Sequence, residues 1–133
     1  MRAALAAGAA GAVAGGVPST VWALAHGNDP LEATLAAGSM LLRNEERPAR
    51  LFAAAVPVHL AFSLGWAAVL AHVLPRRHTT PGGALAGLVI AAIDLGLGRR
   101  LFPRLRALPV LPQIADHVAY GMTVGFVLAQ QRR

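Results

Sequence analysis

A single acidic residue lies in the middle of one long apolar stretch of the chain. Between Gly82 and Gly98 every residue is apolar or small except Asp94. About 20 residues of α-helix rise about 30 Å, which is the thickness of a bilayer's hydrocarbon core. The sequence therefore predicts a membrane-spanning helix over residues 82–102, with Asp94 near its middle. An ionisable side chain at that depth costs roughly 2.5–3.5 kcal/mol on insertion scales, so we expect Asp94 to face a polar partner or a watery cavity.

The composition extends this argument to the rest of the chain. Of the 133 residues, 56% are hydrophobic and 14% are charged, whereas soluble domains average about 25% charged residues. The mean hydropathy of +0.54 arises from long apolar blocks rather than from an amphipathic pattern, which favours lipid as the surrounding solvent. The sequence contains no cysteine, which excludes disulfides, thiol catalysis and cysteine-ligated metals.

The basic charge of the chain comes from arginine alone. Twelve arginines, with no lysine and six acidic residues, give a formal net charge of +6. Most of the arginines lie at the ends of the apolar blocks, where they can contact lipid phosphates, so membrane lipids are predicted partners. No basic face or set of stacking aromatic residues accompanies them, and we predict no nucleic-acid binding.

The first apolar block, residues 3–25, contains no charged residue and is another predicted span. Pro18 should kink its second half, and the hydroxyls of Ser19 and Thr20 can bond the carbonyls that a kink exposes. The same block also fits a secretory signal, with residues 23–25 (Ala-Leu-Ala) as a small-residue cleavage site. Its length and low leucine content favour the spanning helix.

Two further spans and a short surface helix complete the predicted architecture. Residues 51–74 form the strongest span, which contains His59 and should bend at Pro57, and residues 113–131 form the weakest. Residues 30–43 are too short to cross a bilayer and are expected to lie at its interface or to dip into the protein. The predicted fold class is therefore all-α, a multi-pass transmembrane bundle with four spans and one interfacial helix in a single domain, residues 1–133.

The predicted interfacial helix begins with a capping pattern. Asp29 is placed to cap it, Pro30 fits its first position, and Glu32 can reach back as in a capping box. Near the other end of the chain, three prolines fall between Phe102 and Pro112. We expect that segment to be a non-helical connector.

Glycines four residues apart recur in three of the predicted spans. This spacing lets the backbones of two helices approach closely, so it identifies packing faces and not an activity. The pairs are Gly11 and Gly15, Gly83 and Gly87, and Gly121 and Gly125.

The polar residues of the spans converge at one level of the predicted bundle. In an up-and-down bundle the first and third connections lie on the same side of the membrane, and at 1.5 Å per residue the polar side chains fall in the leaflet on that side. They are Asp94, His59, Asp116, His117, Ser19 and Thr20, with Arg99 and Arg100 at the rim. This arrangement predicts a polar pocket that opens towards those connections. The alternative, which stays open, is that these residues only pair with one another to fix the helix register.

The cluster favours proton handling over other chemistry. Histidine titrates near neutrality, so a pair of Asp94 and His59 can exchange a proton with water. A metal or haem site would need His59 and His117 to face one another, and no HExxH motif or histidine-rich run supports it. Ser19 lacks the elbow and the neighbouring base of a nucleophile. We predict no catalytic residue, no metal site and no cofactor.

Both ends of the chain are rich in glycine and alanine, with GAAGAVAGGVPST near the start and DHVAYGMTVGFVLA near the end. These ends resemble the first and last helices of small four-span inner-membrane proteins of bacteria, families largely without an assigned function. Residues 117–125, HVAYGMTVG, carry the best part of the resemblance. It implies a multi-pass protein of the bacterial cytoplasmic membrane and assigns no catalytic residue.

Three hypotheses about function follow. The first is an accessory or structural subunit, as a homo-oligomer or in a larger membrane complex, in which the polar cluster specifies assembly. The second is a small proton- or cation-coupled transporter or channel that uses Asp94 and His59. The third is a membrane lipid-modifying enzyme that uses Asp116 and His117.

Overall fold

The computed structural model describes residues 1–131. This part of the chain folds into helices joined by short connections and contains no β-strand, which confirms the predicted all-α class. In chain order the helices are α1 (Arg2–Ala14), α2 (Val17–Ala25), α3 (Glu32–Gly38), α4 (Pro48–Val73), α5 (Thr79–Leu101), α6 (Pro103–Ala107) and α7 (Val110–Gln131).

Three stretches within residues 1–131 are helical, long and apolar enough to cross a membrane. They are Arg2–Ala25, which comprises α1 and α2, and the helices α4 and α5. The last helix, α7, has 22 residues but carries Gln113, Asp116 and His117 in its first half, and it does not belong to this group. The chain thus has the helices of a membrane protein, with three candidate spans where the sequence predicts four.

The first predicted span is interrupted upstream of its proline. The helix breaks at Gly15 and Gly16, between α1 and α2, and Pro18 lies in the first turn of α2. Proline lacks an N–H group, and its ring crowds the carbonyl four residues earlier, which here belongs to Ala14. The disturbance therefore falls just before Pro18, at the start of the second half of the span, where we predicted a kink.

The long helices pack in an antiparallel arrangement around a small core. α1 contacts α4 and α7, and α7 contacts α5, whereas the consecutive helices α4 and α5 make few close backbone contacts. Despite its polar residues, α7 therefore joins the first candidate span to the third. The buried core consists of Ala7, Ala67, Leu70, Leu74, Ile90, Tyr120, Val124 and Leu128.

The backbones of α5 and α7 touch at glycines. A side-chain carbon added to Gly83 would collide with the carbonyl oxygen of Gly121, and one added to Gly87 would collide with the carbonyl oxygen of His117. A carbon added to Gly125 would likewise press on the first residues of α5. Only residues without a Cβ allow so close an approach. These contacts bring the polar side chains of α5 and α7 within reach of each other.

The glycines of α1 face two other helices. A carbon added to Gly11 would lie 2.7 Å from the ring of Tyr120 on α7, and one added to Gly15 would lie 3.0 Å from the Tyr120 Cβ atom. A carbon added to Gly8 would lie 3.0 Å from the Cβ atom of Ala67 on α4. Side chains, rather than backbone alone, therefore fill most of the space beside α1.

The helix that we predicted to be interfacial, α3, is shorter than the predicted range of residues 30–43. Asp29 accepts a hydrogen bond from the N–H of Leu31 at 2.8 Å, which forms a turn ahead of α3 in place of a helix cap. The helix ends where Gly38 presses against the backbone of Leu51, in the first turn of α4. α3 therefore packs on the beginning of α4.

The proline-rich connector contains a short helix where we predicted none. Pro103 lies in the first turn of α6, a position at which the missing N–H would have had no helical partner. Arg104 on α6 places Nη1 3.9 Å from Glu32 Oε1 on α3. Glu32 thus faces α6, and no side chain caps α3, so the predicted capping box does not form.

Three long helices begin three residues earlier than predicted. α4 begins at Pro48, α5 at Thr79 and α7 at Val110, whereas the predicted starts are residues 51, 82 and 113. The physical reason is shared, because each helix has a proline within its first three residues, where the missing N–H is tolerated. These prolines are Pro48, Pro81 and Pro112.

The connector before α4 carries a local ion pair. Arg47 donates from Nε to Glu45 Oε1 at 3.1 Å, and Arg50 donates from Nη1 to Oε2 at 3.3 Å. Hydrogen bonds from Arg47 lower the pKa of Glu45 to about 2. The carboxylate therefore stays ionised until the pH falls towards that value.

Gly83→Ala tests the contact between α5 and α7. The added methyl group meets the backbone of Gly121, which cannot rotate away, so we expect the free energy of unfolding to fall by about 1–3 kcal/mol. Denaturant titration in mixed micelles, followed by circular dichroism, measures this loss. Gly65→Ala on α4 is the matched control, because no atom lies within 4 Å of the methyl position there. Equal stabilities would contradict the contact.

Candidate functional site

Asp94 on α5 has polar partners on two other helices. Trp66 of α4 donates its indole N–H to Asp94 Oδ2 at 3.0 Å. His117 of α7 places Nε2 3.6 Å from the same oxygen. The side chains of Asp94 and His117 are 18% and 21% exposed, so the pair is largely shielded but reachable from the surface. The carboxylate in the third candidate span therefore faces protein groups.

The second ring nitrogen of His117 fixes its protonation pattern. Nδ1 lies 2.7 Å from the carbonyl oxygen of Gln113, and since a carbonyl only accepts, Nδ1 carries a proton. In neutral His117 the nitrogen that faces Asp94 then presents a lone pair, which a carboxylate repels. The contact between Asp94 and His117 is attractive only when one of the two side chains carries a proton in addition to the one on Nδ1. Trp66 also donates to Oδ2, so the carboxylate oxygen that faces His117 already accepts one hydrogen bond.

Asp116 forms its hydrogen bond at a different position, the interruption between α1 and α2. Its Oδ1 accepts the backbone N–H of Ser19 at 2.8 Å. Ser19 is the third residue of α2, and the N–H groups of a helix's first turn have no partner within that helix. A carboxylate is also favoured there by the partial positive charge of a helix N-terminus. Asp116 thus caps α2 from a helix that lies far away in the sequence.

Other polar residues bond the carbonyls at the same interruption. His59 of α4 donates from Nε2 to the carbonyl oxygen of Ala12 at 2.8 Å. Thr20 donates its hydroxyl to the carbonyl oxygen of Gly16 at 2.7 Å, and the Ser19 hydroxyl approaches the same oxygen at 3.4 Å. His59 thus supplies a donor to a carbonyl beside the break, whereas the Gly16 oxygen also accepts the backbone N–H of Thr20 at 3.3 Å.

The structure divides the predicted cluster into two sites. His59 is exposed and bonds α1, while His117 occupies the position beside Asp94, so the expected pair of Asp94 and His59 is replaced by Asp94 and His117. His59 does interact electrostatically with Asp116. Since Asp116 and His117 are adjacent on α7, the two sites are neighbours.

Tyr120 adds a buried link between α7 and α4. Its hydroxyl donates to the carbonyl oxygen of Ser63, and both side chains are buried. With this bond, each polar link joins a different pair of helices. The links are Trp66–Asp94 (α4 and α5), Asp94–His117 (α5 and α7), Ser19–Asp116 (α2 and α7), Ala12–His59 (α1 and α4) and Ser63–Tyr120 (α4 and α7).

Arg99 and Arg100, the predicted rim, lie in the last turn of α5. Arg99 donates from Nη1 to the carbonyl oxygens of Leu105 and Leu108 at 3.1 and 2.8 Å. It thereby holds the end of α6 and the start of α7 against α5. Arg100 is exposed on the outer surface.

The sequence prediction did not include Trp66 and Tyr120 in the site. A signal was available, because an indole N–H or a phenol O–H inside an apolar helix needs an acceptor. Side chains also lean towards the N-terminus of their own helix. In the hairpin of α4 and α5 this brings Trp66 and Asp94 towards each other, because Trp66 lies closer to the connecting loop.

The arrangement can hold and release a proton at the contact of Asp94 and His117. The other polar side chains are committed to backbone groups. No three His, Asp or Glu side chains are grouped as metal ligands in the part of the chain that the structure describes.

No family model, curated protein or solved structure matches this chain. The functional conclusion therefore rests on the contacts described above.

Asp116→Leu is expected to loosen the start of α2. Without the carboxylate the N–H of Ser19 loses its acceptor in a half-buried position, which destabilises the fold by about 1–3 kcal/mol and speeds hydrogen exchange at that amide. Exchange followed by mass spectrometry measures the effect. Asp116→Asn is the matched control, because its amide oxygen still accepts. If both variants exchange Ser19 at the same rate, Asp116 does not cap α2.

Proposed function

We propose that this chain is an accessory or structural subunit of the bacterial cytoplasmic membrane, which it crosses four times, and that it acts as a homo-oligomer or in a larger complex. The three apolar helices support a membrane protein. The bacterial cytoplasmic membrane is proposed from the glycine-rich ends that resemble small four-span proteins. In this role the polar residues hold the helices in place and do not react.

The position of α7 supports a fourth crossing. Its 22 residues rise about 33 Å, which is enough to span the hydrocarbon core. Asp116, near one end, bonds α2, and Gly125, near the other end, meets the first turn of α5. A helix that packs along two spans over this length crosses the membrane with them, and its polar residues face those neighbours.

The observation that carries the proposal is that the polar side chains of the spans find partners within the chain. Five links join five different pairs of helices, which is what a device for fixing helix positions requires. Hydrogen bonds between membrane helices contribute about 0.6 kcal/mol on average and at most about 1.7 kcal/mol. Four of the five links are hydrogen bonds, which together amount to about 2.4 kcal/mol, a substantial part of the stability of a small protein.

The outer surface of the bundle supports partners in the membrane. Large apolar side chains are exposed on every candidate span, for example Val13 on α1, Phe62 on α4 and Leu85 on α5. The small core leaves little enclosed space for a substrate. Lipids or other protein chains must cover these faces.

A proton-coupled transporter is the second candidate, and one observation favours it. Asp94 and His117 are attractive to each other only with a shared proton, and both side chains are partly exposed. Such a pair can take a proton from one side of the membrane and release it. His117, rather than His59, would then carry out this step with Asp94.

A lipid-modifying enzyme based on Asp116 and His117 has weaker support. The two side chains have separate partners, since Asp116 binds the Ser19 N–H and His117 faces Asp94. An acid and a base that act on one substrate need to converge on it.

Single cysteines introduced into this cysteine-free chain show how many times it crosses the membrane. Leu111→Cys and Gln130→Cys place a thiol at each end of α7, and four crossings predict that an impermeant maleimide labels them from opposite sides of the membrane. Arg77→Cys, in the loop between α4 and α5, is the reference and should react from the same side as Gln130→Cys. Labelling of both α7 positions from one side would show that α7 does not cross.

Trp66→Phe and Asp94→Asn separate the two candidate functions. If the cluster is structural, Trp66→Phe lowers the free energy of unfolding by about 0.6–1.7 kcal/mol, and liposomes with the wild-type protein show no proton flux above empty ones. Trp22→Phe is the matched control for loss of an indole. Wild-type flux that Asp94→Asn abolishes and Trp66→Phe retains would instead establish the transporter.

A further inference from the structure

An apolar groove runs along the outer surface between α5 and α7. It has a volume of about 330 Å³, and its walls are Leu88, Leu95 and Gly96 of α5 with Val110 and Ile114 of α7. Arg99 lies at one end of the groove and contributes its only charge. The groove therefore has one apolar end and one basic end.

The direction of the groove matches the membrane. Leu88 lies near the middle of α5 and Arg99 lies in its last turn, and the eleven residue steps between them rise about 16 Å. Half of a hydrocarbon core of about 30 Å has nearly this length. The apolar walls thus extend through one leaflet, and Arg99 sits at the level of the lipid headgroups.

The basic end is preformed. Two hydrogen bonds from Nη1 to the carbonyl oxygens of Leu105 and Leu108 hold the Arg99 guanidinium at the mouth of the groove. Nε and Nη2 of Arg99 have no hydrogen-bond partner among the described residues. Arg100 follows directly on α5 and is exposed, and neither arginine forms an ion pair within residues 1–131.

The first residue of α7 adds to the same end. Val110 lines the groove and begins a long helix, so N–H groups without helical partners lie at the mouth. Such groups favour an anion, and guanidinium groups bind phosphate oxygens through paired hydrogen bonds.

We infer that this groove binds one anionic phospholipid, with an acyl chain between α5 and α7 and the phosphate at Arg99 and Arg100. Charge selects this occupant over a second copy of the chain, which carries a net charge of +6 from twelve arginines and six acidic residues. Basic sites between membrane helices bind acidic headgroups in this way. The inference rests on the membrane location proposed above, but not on the role as a structural subunit.

Two variants test the two ends of the site. Gly96→Leu fills the groove, and it fits the fold because no atom lies within 4 Å of a Cβ at that position. Arg100→Gln removes one cation but leaves Arg99, which also bonds the backbone, in place. The matched controls are Gly65→Leu on α4, where the space is equally open, and Arg77→Gln in the loop on the opposite side.

Native mass spectrometry of protein from mixed phosphatidylglycerol and phosphatidylcholine nanodiscs, with identical acyl chains, reads out the bound lipid. The wild type should retain one phosphatidylglycerol in preference to phosphatidylcholine. Gly96→Leu should lose both lipids, and Arg100→Gln should reduce the preference about fivefold, which corresponds to about 1 kcal/mol per basic residue. Both controls should behave as the wild type.

Three results would overturn the inference. Equal retention of the two lipids by the wild type would remove the role of charge. Losses as large in the control variants would show general lipid adhesion. A wild-type dimer without bound lipid, converted to a monomer by Gly96→Leu, would show that a second copy occupies the groove. Unfolding temperatures of all variants confirm that each is folded when the lipid is measured.

Discussion

The hydrocarbon of a membrane offers no hydrogen bonds, so each polar group inside it must find a partner within protein. Two polar groups in the candidate spans of this chain need such partners, namely the carboxylate of Asp94 and the backbone exposed at Gly15 and Gly16. Five polar side chains supply these partners, namely Trp66 and His117 at Asp94, and Thr20, His59 and Asp116 beside the break. The residues that the sequence predicts as a single polar cluster therefore form two neighbouring sites, one around Asp94 and one at the break between α1 and α2.

Small residues make these two sites possible. Short polar side chains reach another helix only when the backbones are close, and Gly83, Gly87 and Gly121 allow α5 and α7 to touch. The Asp94–His117 contact depends on that approach. Where the backbones stand further apart, between α4 and α5, a large residue closes the distance, since the indole of Trp66 spans the gap. Packing and polar pairing are thus parts of one arrangement.

The sequence predicts the existence of the helices and the need for partners better than it predicts which partners meet. Long apolar blocks and the lone charge of Asp94 suffice for an all-helical membrane protein. The rotation of each helix about its axis is a different matter, because alanine-rich and glycine-rich spans are apolar on every side. The apolar pattern of α4 therefore could not show that His59 faces α1, whereas Trp66 carried a signal in its indole N–H, which needs an acceptor. The predicted starts of α5 and α7 were wrong, because Pro81 and Pro112 lie inside the first turn of each helix and do not precede it.

The cap on α2 also has a consequence for the order in which the protein is made. Ser19 and its acceptor Asp116 are 97 positions apart. A ribosome delivers the N-terminal segment to the membrane long before it has translated the carboxylate that completes this segment. The first candidate span must therefore keep an unpaired amide at Ser19 until α7 has been made. Its completion is tied to the arrival of α7.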